Sequence, residues 1–464
     1  MARFVVSAAH KSSGKTTVTI GLCAALAARG LKVQPFKKGP DYIDPMWLSQ
    51  AAGRTCRNLD FYTQPPADMR ETFARHAADA DVNIVEGNKG FYDGVDLEGA
   101  DCTAALAKLL DAPAVLVIDT GGMTRGIAPL LRGYQTFDPA VRIAGVILNK
   151  VSGPRHERKL RQVVEHYTDI PILGAIPRSP ALEIVERHIG LVPTNEAAQA
   201  ATVIDAIAQA IAGHVDLDAV LGIASAAPPF GVAAPPRAAP LPAPDLRIGI
   251  ARDAAFGFYY PDDLEALAQA GAALVDVDML RDERLPPDLD GLFIGGGFPE
   301  AHMQALEANR TMRASVRAAV EGGLPVYAEC GGLMYLSQAI VWNGERREMV
   351  AALPGETVMH RRPKGRGYVR LRETDAFPWP HVERGPGVMT GHEFHHSSLE
   401  KLPGGLSFGY EVLRGMGVDG HHDGIVYRNT VASYAHLRSV GADPWAARFA
   451  AFARQVRRGL RRAV

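Results

Sequence analysis

Short runs of β-branched and other apolar residues alternate with longer Ala- and Leu-rich stretches through the first half of the chain. Apolar runs of this length, separated by helical stretches, are typical of strands buried on both faces of a parallel sheet. The pattern predicts an α/β domain with six strands at Phe4–Ala8, Val33–Phe36, Val82–Glu86, Ala114–Asp119, Ile143–Leu148 and Ile172–Ile176.

The alternation stops in a segment rich in proline and alanine, residues 226–244, which contains seven prolines. Proline cannot continue a helix or pair inside a central strand, so this composition indicates a semi-rigid linker. A length of 464 residues also exceeds what a single hydrophobic core usually supports. We therefore expect an N-terminal domain over 1–225, a linker over 226–244 and a C-terminal domain over 245–464.

A second α/β series follows the linker. Its apolar runs predict strands at Arg247–Ile250, Leu274–Val277, Leu292–Ile294 and Pro325–Ala328, and Gly- and His-rich segments after them suggest added antiparallel strands. We expect a hairpin around Arg428-Asn429 and a terminal helix over Pro444–Arg462. The fold class predicted for the whole chain is α/β.

The charge composition limits the kinds of partner that the protein can have. The 50 basic and 51 acidic residues nearly cancel, so the net charge gives no reason to expect nucleic acid or an anionic membrane as the main partner. Charged residues come too early for a signal peptide, and no segment has the length of a membrane span, so we expect a cytoplasmic protein. Four scattered cysteines without a C-x-x-C pair favour neither a disulfide framework nor a structural zinc site.

The first predicted strand leads into a loop with the features of a phosphate site. A loop between strand and helix turns backbone N–H groups toward the helix N-terminus, where an anion is favoured. Lys15 would reach the β- and γ-phosphates of ATP and the Thr16 hydroxyl would bind Mg²⁺, although Ala9 stands where the usual pattern has its first glycine. The predicted ATP-binding residues of this loop are Ser12, Ser13, Gly14, Lys15, Thr16 and Thr17.

Three acidic clusters follow predicted strands, at 37–45, 86–94 and 119–122. In open α/β sheets this edge binds ligands, and carboxylates beside a triphosphate are favourable only when a cation bridges them. Asp41 and Glu86 are therefore candidate Mg²⁺ ligands with Thr16, although for any single acid a solvated surface position is the alternative. Asn149 could contact adenine through its amide, or cap the end of its strand.

In the second half, the strand Pro325–Ala328 leads to Cys330 and a helical stretch. A nucleophile on a tight strand-to-helix turn needs small neighbours, and Ala328 and Gly332 flank Cys330 at two residues on either side. His436, on a strand-like segment, is the candidate base. Glycines 295–297 follow another strand, and backbone N–H groups at Gly296 and Gly331 are candidates for an oxyanion site.

Several short sequence motifs of this chain occur together in one known family. They are 13–16, 39–44, Glu86-Gly87 with Asp93, 251–253 with 258–260, 328–335, 391–395, and Ser433-Tyr434 with His436. A phosphate-loop domain followed by a cysteine-nucleophile domain with these motifs resembles the cobyrinic/hydrogenobyrinic acid a,c-diamide synthases of cobalamin biosynthesis. The resemblance runs nearly end to end.

That resemblance implies a dethiobiotin-synthetase-like ATP domain with a parallel sheet, and a class I glutamine amidotransferase-like domain. It implies ATP, L-glutamine and a corrin-type tetrapyrrole as substrates, and a carboxylate activated as an acyl phosphate before ammonia attacks it. It also makes Tyr42, Asp44, Lys89 and Asp93 candidates for the substrate site, with Lys37 and Lys38 beside them. One departure stands out, because Arg438 occupies the position two residues after the histidine where the class has Glu. This departure implies that the glutaminase site is a Cys–His dyad, or that its acid comes from another part of the chain.

Other functions stay open at this point. Cobyric acid synthase amidates further corrin side chains on a similar two-domain plan. A partition- or regulator-type ATPase would use the phosphate loop but leave Cys330 and His436 unexplained, and a binding module with a dead amidotransferase domain would not need both residues. The sequence does not choose between a cobalt-free, a cobalt-bearing and a nickel-bearing macrocycle, and it allows a homodimer without predicting one.

Overall fold

A computed structural model describes residues 1–182, 184, 186–187, 190–196, 199–232, 241–380, 387–441 and 444–463. The chain divides into two compact units, residues 1–238 and 239–464. The division falls inside the proline-rich segment 226–244, of which residues 233–240 lie outside the described residues.

The first unit is built on a seven-stranded sheet in which every neighbouring pair is parallel. Its strands are β1 (Arg3–Ala8), β2 (Val33–Lys38), β3 (Arg57–Leu59), β4 (Val82–Glu86), β5 (Ala114–Asp119), β6 (Ile143–Val151) and β7 (Ile172–Pro177). Their order across the sheet is β3-β2-β4-β1-β5-β6-β7. The six predicted strands are present, and β3 is an additional short edge strand.

Helices follow these strands and supply the crossovers that a parallel sheet requires. They are α1 (Lys15–Ala28), α2 (Ile43–Ala52), α3 (Pro66–Ala77), α4 (Thr103–Leu109), α5 (Ile127–Phe137), α6 (Pro154–Tyr167), α7 (Ala200–His214) and α8 (Leu217–Ser225), with a 3₁₀ turn at Pro180–Leu182 and a small pair of strands, β8 (Glu186–Arg187) and β9 (Gly190–Leu191). Gly21 permits close packing of α1 on α7, because a Cβ there would lie 2.2 Å from Ile211 Cγ1.

The second unit contains a mixed ten-stranded sheet. Its members are β10 (Leu246–Ala251), β12 (Ala272–Val277), β13 (Gly291–Ile294), β15 (Val326–Glu329), β19 (Gly365–Glu373), β20 (Val388–His395), β22 (Ser407–Arg414), β23 (His422–Tyr427), β24 (Thr430–Ser433) and β25 (His436–Leu437). The order is β12-β10-β13-β15-β24-β23-β22-β19-β20-β25. The pairs from β12 to β24 are parallel and the later ones antiparallel.

Smaller elements complete this unit. They are β11 (Phe256–Phe258) paired with β14 (Gly296–Gly297), a four-stranded sheet of β16 (Ala339–Trp342), β17 (Glu345–Glu348), β18 (Glu356–Met359) and β21 (Ser397–Glu400), a 3₁₀ turn at Pro299–His302, and helices α9 (Pro261–Gln269), α10 (Met303–Ala308), α11 (Arg310–Glu321), α12 (Gly331–Leu336) and α13 (Trp445–Ala463). Arg428-Asn429 forms the predicted hairpin between β23 and β24.

The ten-stranded sheet curls back on itself. Strand β25 pairs at the outer edge with β20, yet it begins at His436, close after the end of β24 at Ser433. The chain can satisfy both pairings only if the edge strand returns to the carboxyl ends of β15 and β24. This curl brings His436 to the end of the strand that carries Cys330.

Among the described residues, no helix is both long enough and apolar enough to cross a bilayer. All four cysteines are buried with free thiols.

Candidate active sites

The phosphate loop joins β1 to α1 and is held from the neighbouring strand β6. Asn149 Nδ2 donates to the carbonyl of Ser13 at 2.9 Å. Gly14 adopts φ 85°, and a Cβ there would lie 2.2 Å from Asn149 Nδ2. A glycine is therefore required both for the backbone conformation and for the approach of Asn149. The amide of Asn149 contacts the loop itself, and its contact with adenine stays a prediction.

Ala9 begins the loop where the usual pattern has glycine, and its backbone explains why alanine is tolerated. Positive φ angles in this loop occur at Ser12 and Gly14, and Ala9 has none. Its carbonyl accepts a hydrogen bond from the Tyr134 hydroxyl at 2.7 Å. The start of the loop thus does not need the conformational freedom of glycine.

Two lysines and three carboxylates meet at the carboxyl ends of β1, β2 and β4. Glu86 Oε1 accepts from Thr16 Oγ1 at 2.7 Å, from Lys15 Nζ at 2.9 Å and from Lys37 Nζ at 3.0 Å. Asp44 Oδ2 accepts from Lys37 Nζ at 2.5 Å and lies 3.2 Å from Thr16 Oγ1. The two cations balance most of the negative charge that this edge of the sheet gathers.

Burial and neighbouring charges shift the pKa values of three groups in this cluster, Lys37, Asp41 and Asp44. Burial alone would lower the pKa of Lys37, but Asp44 and Glu86 outweigh it and raise that pKa well above the usual value. Burial would raise the pKa of Asp44, but Lys37 and Lys15 hold it below the usual value. For Asp41, burial and the neighbouring Asp44 raise the pKa to about 6. Asp41 therefore protonates before Asp44 as pH falls.

The residues predicted to bind Mg²⁺ offer the oxygen donors that this cation prefers. Glu86 Oε2 is buried and has no hydrogen-bond partner among the described residues. Asp41 Oδ1 accepts from the backbone N–H groups of Ile43 and Asp44, while its Oδ2 lies 3.6 Å from Lys37 Nζ. A carboxylate with one buried, unpartnered oxygen and its other oxygen in contact with the Thr16 hydroxyl fits a cation site, so the donor set is consistent with Mg²⁺.

The predicted substrate residues do not all lie together. Asp44 belongs to the charged cluster, and Tyr42 is buried beside it at the start of α2. Lys89 and Asp93 are exposed on the loop after β4, where Asp93 Oδ2 accepts from the Gly90 N–H at 3.1 Å. Lys37 is 1% exposed, so it serves the charged cluster and is not an open contact for a corrin carboxylate.

Cys330 occupies a strained turn between β15 and α12. Its φ is 45°, which is rare for a residue with a side chain, and its N–H donates to Ser433 O at 2.7 Å. A Cβ at Gly332 would lie 2.2 Å from the carbonyl of Ile294, so the turn requires a glycine there. Burial, with Glu300 and Glu329 nearby, raises the pKa of the Cys330 thiol. The thiol therefore needs a base to become a nucleophile.

His436 and Cys330 lie against the same loop of glycines at the end of β13. A Cβ at Gly296 would lie 2.6 Å from His436 Cε1 and 3.4 Å from its Nε2. A Cβ at Gly331 would lie 3.0 Å from the Gly297 nitrogen. Glycines on both sides allow the imidazole, the nucleophile turn and the candidate oxyanion N–H groups to converge.

Tyr259 and Asp423 hold the two segments that carry this site. The Tyr259 hydroxyl accepts from Gly295 N at 2.9 Å and donates to Ala251 O at 2.5 Å. Asp423 accepts from the N–H groups of Tyr434 and Ala435, at 2.9 and 3.0 Å. Those contacts fix the chain just before His436, and burial raises the pKa of Asp423 to about 6.

The acid beside His436 is Glu329, the last residue of β15. Its Oε2 lies 3.2 Å from His436 Nδ1, and its Oε1 accepts from the Leu437 N–H at 3.0 Å. Arg438, at the position where the class has an acid, instead pairs with Asp262 at 2.5 Å. Where Arg438 replaces the acid of the class, a carboxylate from a different strand, Glu329, lies beside the histidine instead.

Comparison with known proteins decides the family. Residues 5–192 match the CobQ/CobB/MinD/ParA nucleotide binding domain, and residues 247–443 match the CobB/CobQ-like glutamine amidotransferase domain. The chain is 50% identical over 458 residues to the cobyrinate a,c-diamide synthase of Magnetococcus marinus, covering 98% of this chain and 97% of that one. It is 41% identical over 467 residues to the Methanosarcina acetivorans protein of the same name, covering 94% and 92%.

The chain belongs to the cobyrinate a,c-diamide synthase family. The predicted fold class and the predicted enzyme class, a glutamine-dependent amide ligase of cobalamin biosynthesis, are confirmed at this level. The partition-type ATPase is excluded as a description of the whole chain, because the second matched domain is an amidotransferase.

Glu329 is a residue of the glutaminase site to which the sequence analysis assigned no role. A signal was present, since a carboxylate ending the apolar run Val326–Ala328 must find partners when buried. What the sequence did not reveal is that the partner is His436, 107 positions away.

Proposed function

We propose that this chain uses ATP and glutamine to convert the a and c carboxylates of cobyrinic or hydrogenobyrinic acid into carboxamides. The observation that carries the proposal is the pairing, in one chain, of a charged phosphate-loop site at Lys15 and Glu86 with a strained cysteine elbow at Cys330. The name of the Magnetococcus marinus relative, 50% identical, supports the macrocycle and the two positions. Because ATP and glutamine are cytoplasmic metabolites, a cytoplasmic location agrees with this chemistry.

In the synthetase reaction, a carboxylate oxygen attacks the γ-phosphorus of ATP, and the bond from that phosphorus to the bridging oxygen of ADP breaks. The product is an acyl phosphate, which gives the carboxylate a good leaving group. Ammonia then attacks the acyl carbon, phosphate leaves with the C–O bonding pair, and nitrogen loses a proton. Lys15 stabilises charge on the transferred phosphoryl group, as expected for chemistry that depends on positioning and electrostatics.

Thr16, Asp41 and Glu86 are the residues we assign to Mg²⁺, which when bound would neutralise charge on the phosphates. Lys37 orients Glu86 and Asp44 through contacts of 3.0 and 2.5 Å. Backbone N–H groups of the loop from Ser12 to Thr17 would cradle the phosphates. Asn149 holds this loop through Ser13 and is the proposed adenine contact.

In the glutaminase reaction, Cys330 transfers its proton to His436 and attacks the carboxamide carbon of glutamine. Backbone N–H groups at Gly296 and Gly331 receive the negative oxygen of the tetrahedral intermediate. His436 returns the proton to the leaving ammonia, and a thioester remains on Cys330. Water, activated by the same imidazole, hydrolyses the thioester to glutamate and restores the thiol.

Recognition of the macrocycle falls to Tyr42, Asp44, Lys89 and Asp93 in this proposal. A corrin precursor carries several carboxylates, for which the exposed ammonium of Lys89 is a suitable partner. The acids would orient the intermediate or hold incoming ammonia. Asp44 and Asp93 would repel the other carboxylates of the macrocycle, so we place them beside the reacting group.

The proposal is tested by supplying ATP, Mg²⁺ and glutamine with hydrogenobyrinic acid or cobyrinic acid in separate reactions. Mass spectrometry counts the carboxylates converted, and a diamide from one of the two substrates is the expected product. An enzyme that leaves both untouched but amidates their a,c-diamide would be a cobyric acid synthase instead. Light scattering on the same protein tests whether it forms the homodimer that the sequence allows.

A further inference from the structure

Glu329 is a buried carboxylate in contact with the candidate base of the glutaminase. It ends β15 directly before Cys330 and is 1% exposed. Its Oε1 accepts from the Tyr327 hydroxyl at 2.6 Å and from the Leu437 N–H at 3.0 Å. Its Oε2 lies 3.2 Å from His436 Nδ1. Burying a carboxylate is costly unless its oxygens are hydrogen-bonded, and here both are.

The ring of His436 is constrained from several sides. His392, its register partner on β20, stacks on the imidazole with 4.9 Å between ring centroids and 18° between planes. The Tyr260 hydroxyl lies 3.4 Å from His392 Nδ1. Burial, His436 and Arg438 lower the pKa of His392 well below its usual value, so its ring is neutral. The titratable groups with described interactions around Glu329 and His436 include Cys330, His392, Tyr260, Tyr327, Asp263 and Arg438.

The two nitrogens of His436 therefore face different partners. Nδ1 faces Glu329, while the edge with Cε1 and Nε2 lies against Gly296 of the candidate oxyanion loop. A carboxylate next to Nδ1 selects the tautomer that carries its proton there, because a carboxylate can only accept. Nε2 is then left as the acceptor on the side of the nucleophile turn.

We propose that Glu329 is the positioning residue of the glutaminase, which fixes the His436 tautomer and stabilises the imidazolium formed when Cys330 gives up its proton. It fills the role of the acid that the class carries two residues after the histidine, where Arg438 stands here. This inference rests on the proposed glutaminase function of Cys330 and His436. It gives the residue before the nucleophile a part in catalysis without contact to the substrate.

A purely structural role must be separated from this one, because Glu329 also anchors Leu437. Glu329→Gln is the sharp variant. Its amide oxygen can still accept from Tyr327 and Leu437, while its NH₂ group faces His436 Nδ1 and favours the tautomer with the proton on Nε2. This variant keeps the side-chain packing and reverses the donor and the acceptor in the hydrogen bond to His436 Nδ1. Glu329→Asp restores the charge with a shorter side chain.

The experiment measures glutamine hydrolysis and ammonium-dependent amidation for each variant across pH. Glu329→Gln is expected to lower kcat for glutamine by about 10²–10⁴-fold at every pH, by analogy with loss of the orienting acid in a triad. KM for glutamine should change by less than about threefold, since ground-state binding is untouched. Glu329→Asp should recover part of kcat, and ammonium-dependent amidation should match the unsubstituted protein.

Glu373→Gln is the matched control. Glu373 is another carboxylate of the same unit, with its side chain 6% exposed and paired with Arg448 at 2.5 Å, and its loss should lower thermal stability without changing the glutaminase pH profile. Unchanged kcat and pH profile in Glu329→Gln would overturn the proposal, as would equal losses in Glu329→Gln and Glu329→Asp. Should Glu329→Gln fail to fold, kcat of Glu329→Asp for glutamine decides, since full activity at the shorter length contradicts a positioning role. Retained glutamine-dependent activity in Cys330→Ala would instead contradict the glutaminase assignment itself.

Discussion

The phosphate-loop site and the cysteine elbow both lie at the carboxyl ends of parallel strands, but they hold charge in opposite ways. In the first unit, Lys15 and Lys37 are set among Asp41, Asp44 and Glu86. In the second, the Cys330 thiol is kept protonated by burial, and the carboxylate next to the base is Glu329. A site for a polyanion needs fixed charges and a cation, whereas a site that generates a nucleophile needs a proton path.

The difference also concerns how each site is assembled. Residues of the phosphate site lie at the ends of β1, β2 and β4 or shortly after them, and the parallel sheet brings those ends together. The glutaminase site depends on the curl that returns β25 to the end of β15. An open parallel sheet therefore gathers its site by topology alone, while the mixed sheet needs long antiparallel strands to deliver one histidine.

The largest effect on the division of work between the two sites is expected for Lys15→Ala. Removing the cation that faces the transferred phosphate should lower amidation by at least about 10²–10³-fold with glutamine or with ammonium salts. Glutamine hydrolysis at Cys330 should continue. The measurement is amide formation with each donor, and Lys108→Ala, an exposed lysine paired with Asp138, is the control. Normal synthesis with ammonium salts would move the ATP site elsewhere.

Cys330→Ala should produce the complementary result. Glutamine-dependent amidation should fall to background because no thioester can form, while amidation with added ammonium salts should persist. His436→Ala should show the same division, and both are measured by product mass with each nitrogen donor. Loss of both activities in a folded Cys330→Ala protein would show that the thiol also serves the synthetase.

A smaller effect concerns stability against pH. Burial raises the pKa of Asp423 from 3.8 to about 6, so the folded chain binds the proton more tightly than the unfolded chain. Its contribution to stability is therefore present at low pH and is lost as pH rises through about 4 to 6. The full change is about 3 kcal/mol. Asp423→Asn should flatten this part of the pH dependence of unfolding.

Tryptophan fluorescence in denaturant is a suitable measurement, since Trp342, Trp379 and Trp445 lie in the second unit. Glu411→Gln, a substitution of an exposed carboxylate on β22, provides the comparison. If Asp423→Asn and Glu411→Gln gave the same pH dependence as the unsubstituted protein, Asp423 would not be the titrating group.

The smallest effect is expected at the proposed substrate residues. Asp44→Asn and Asp93→Asn should reduce the yield of diamide and let the mono-amide accumulate, while glutamine hydrolysis stays intact. Asp44→Asn should have the larger effect, since Asp44 contacts Lys37 and Thr16 whereas Asp93 is exposed. Product mass at limiting substrate is the readout. Unchanged diamide yield in both variants would remove these residues from the site.

The sequence alone was sufficient for the features that depend on neighbours along the chain. Six of the seven sheet strands of the first unit, the hairpin at Arg428-Asn429 and the elbow at Cys330 follow from apolar periodicity and from glycine close to a nucleophile. The phosphate loop was also predictable, because strand, loop and helix come in uninterrupted order. In each case the physical cause is local: backbone conformation, side-chain size and burial pattern.

Only the tertiary structure decided how charge is distributed in the two sites. Lys37 was a candidate for an open substrate contact, but the parallel alignment of β2 with β4 places its ammonium against Glu86. Glu329 reaches His436 because the curled sheet returns β25 to β15, and no spacing in the sequence encodes that distance. Electrostatic partners separated by tens of positions are set by strand order and sheet curvature, and these depend on packing of the whole unit.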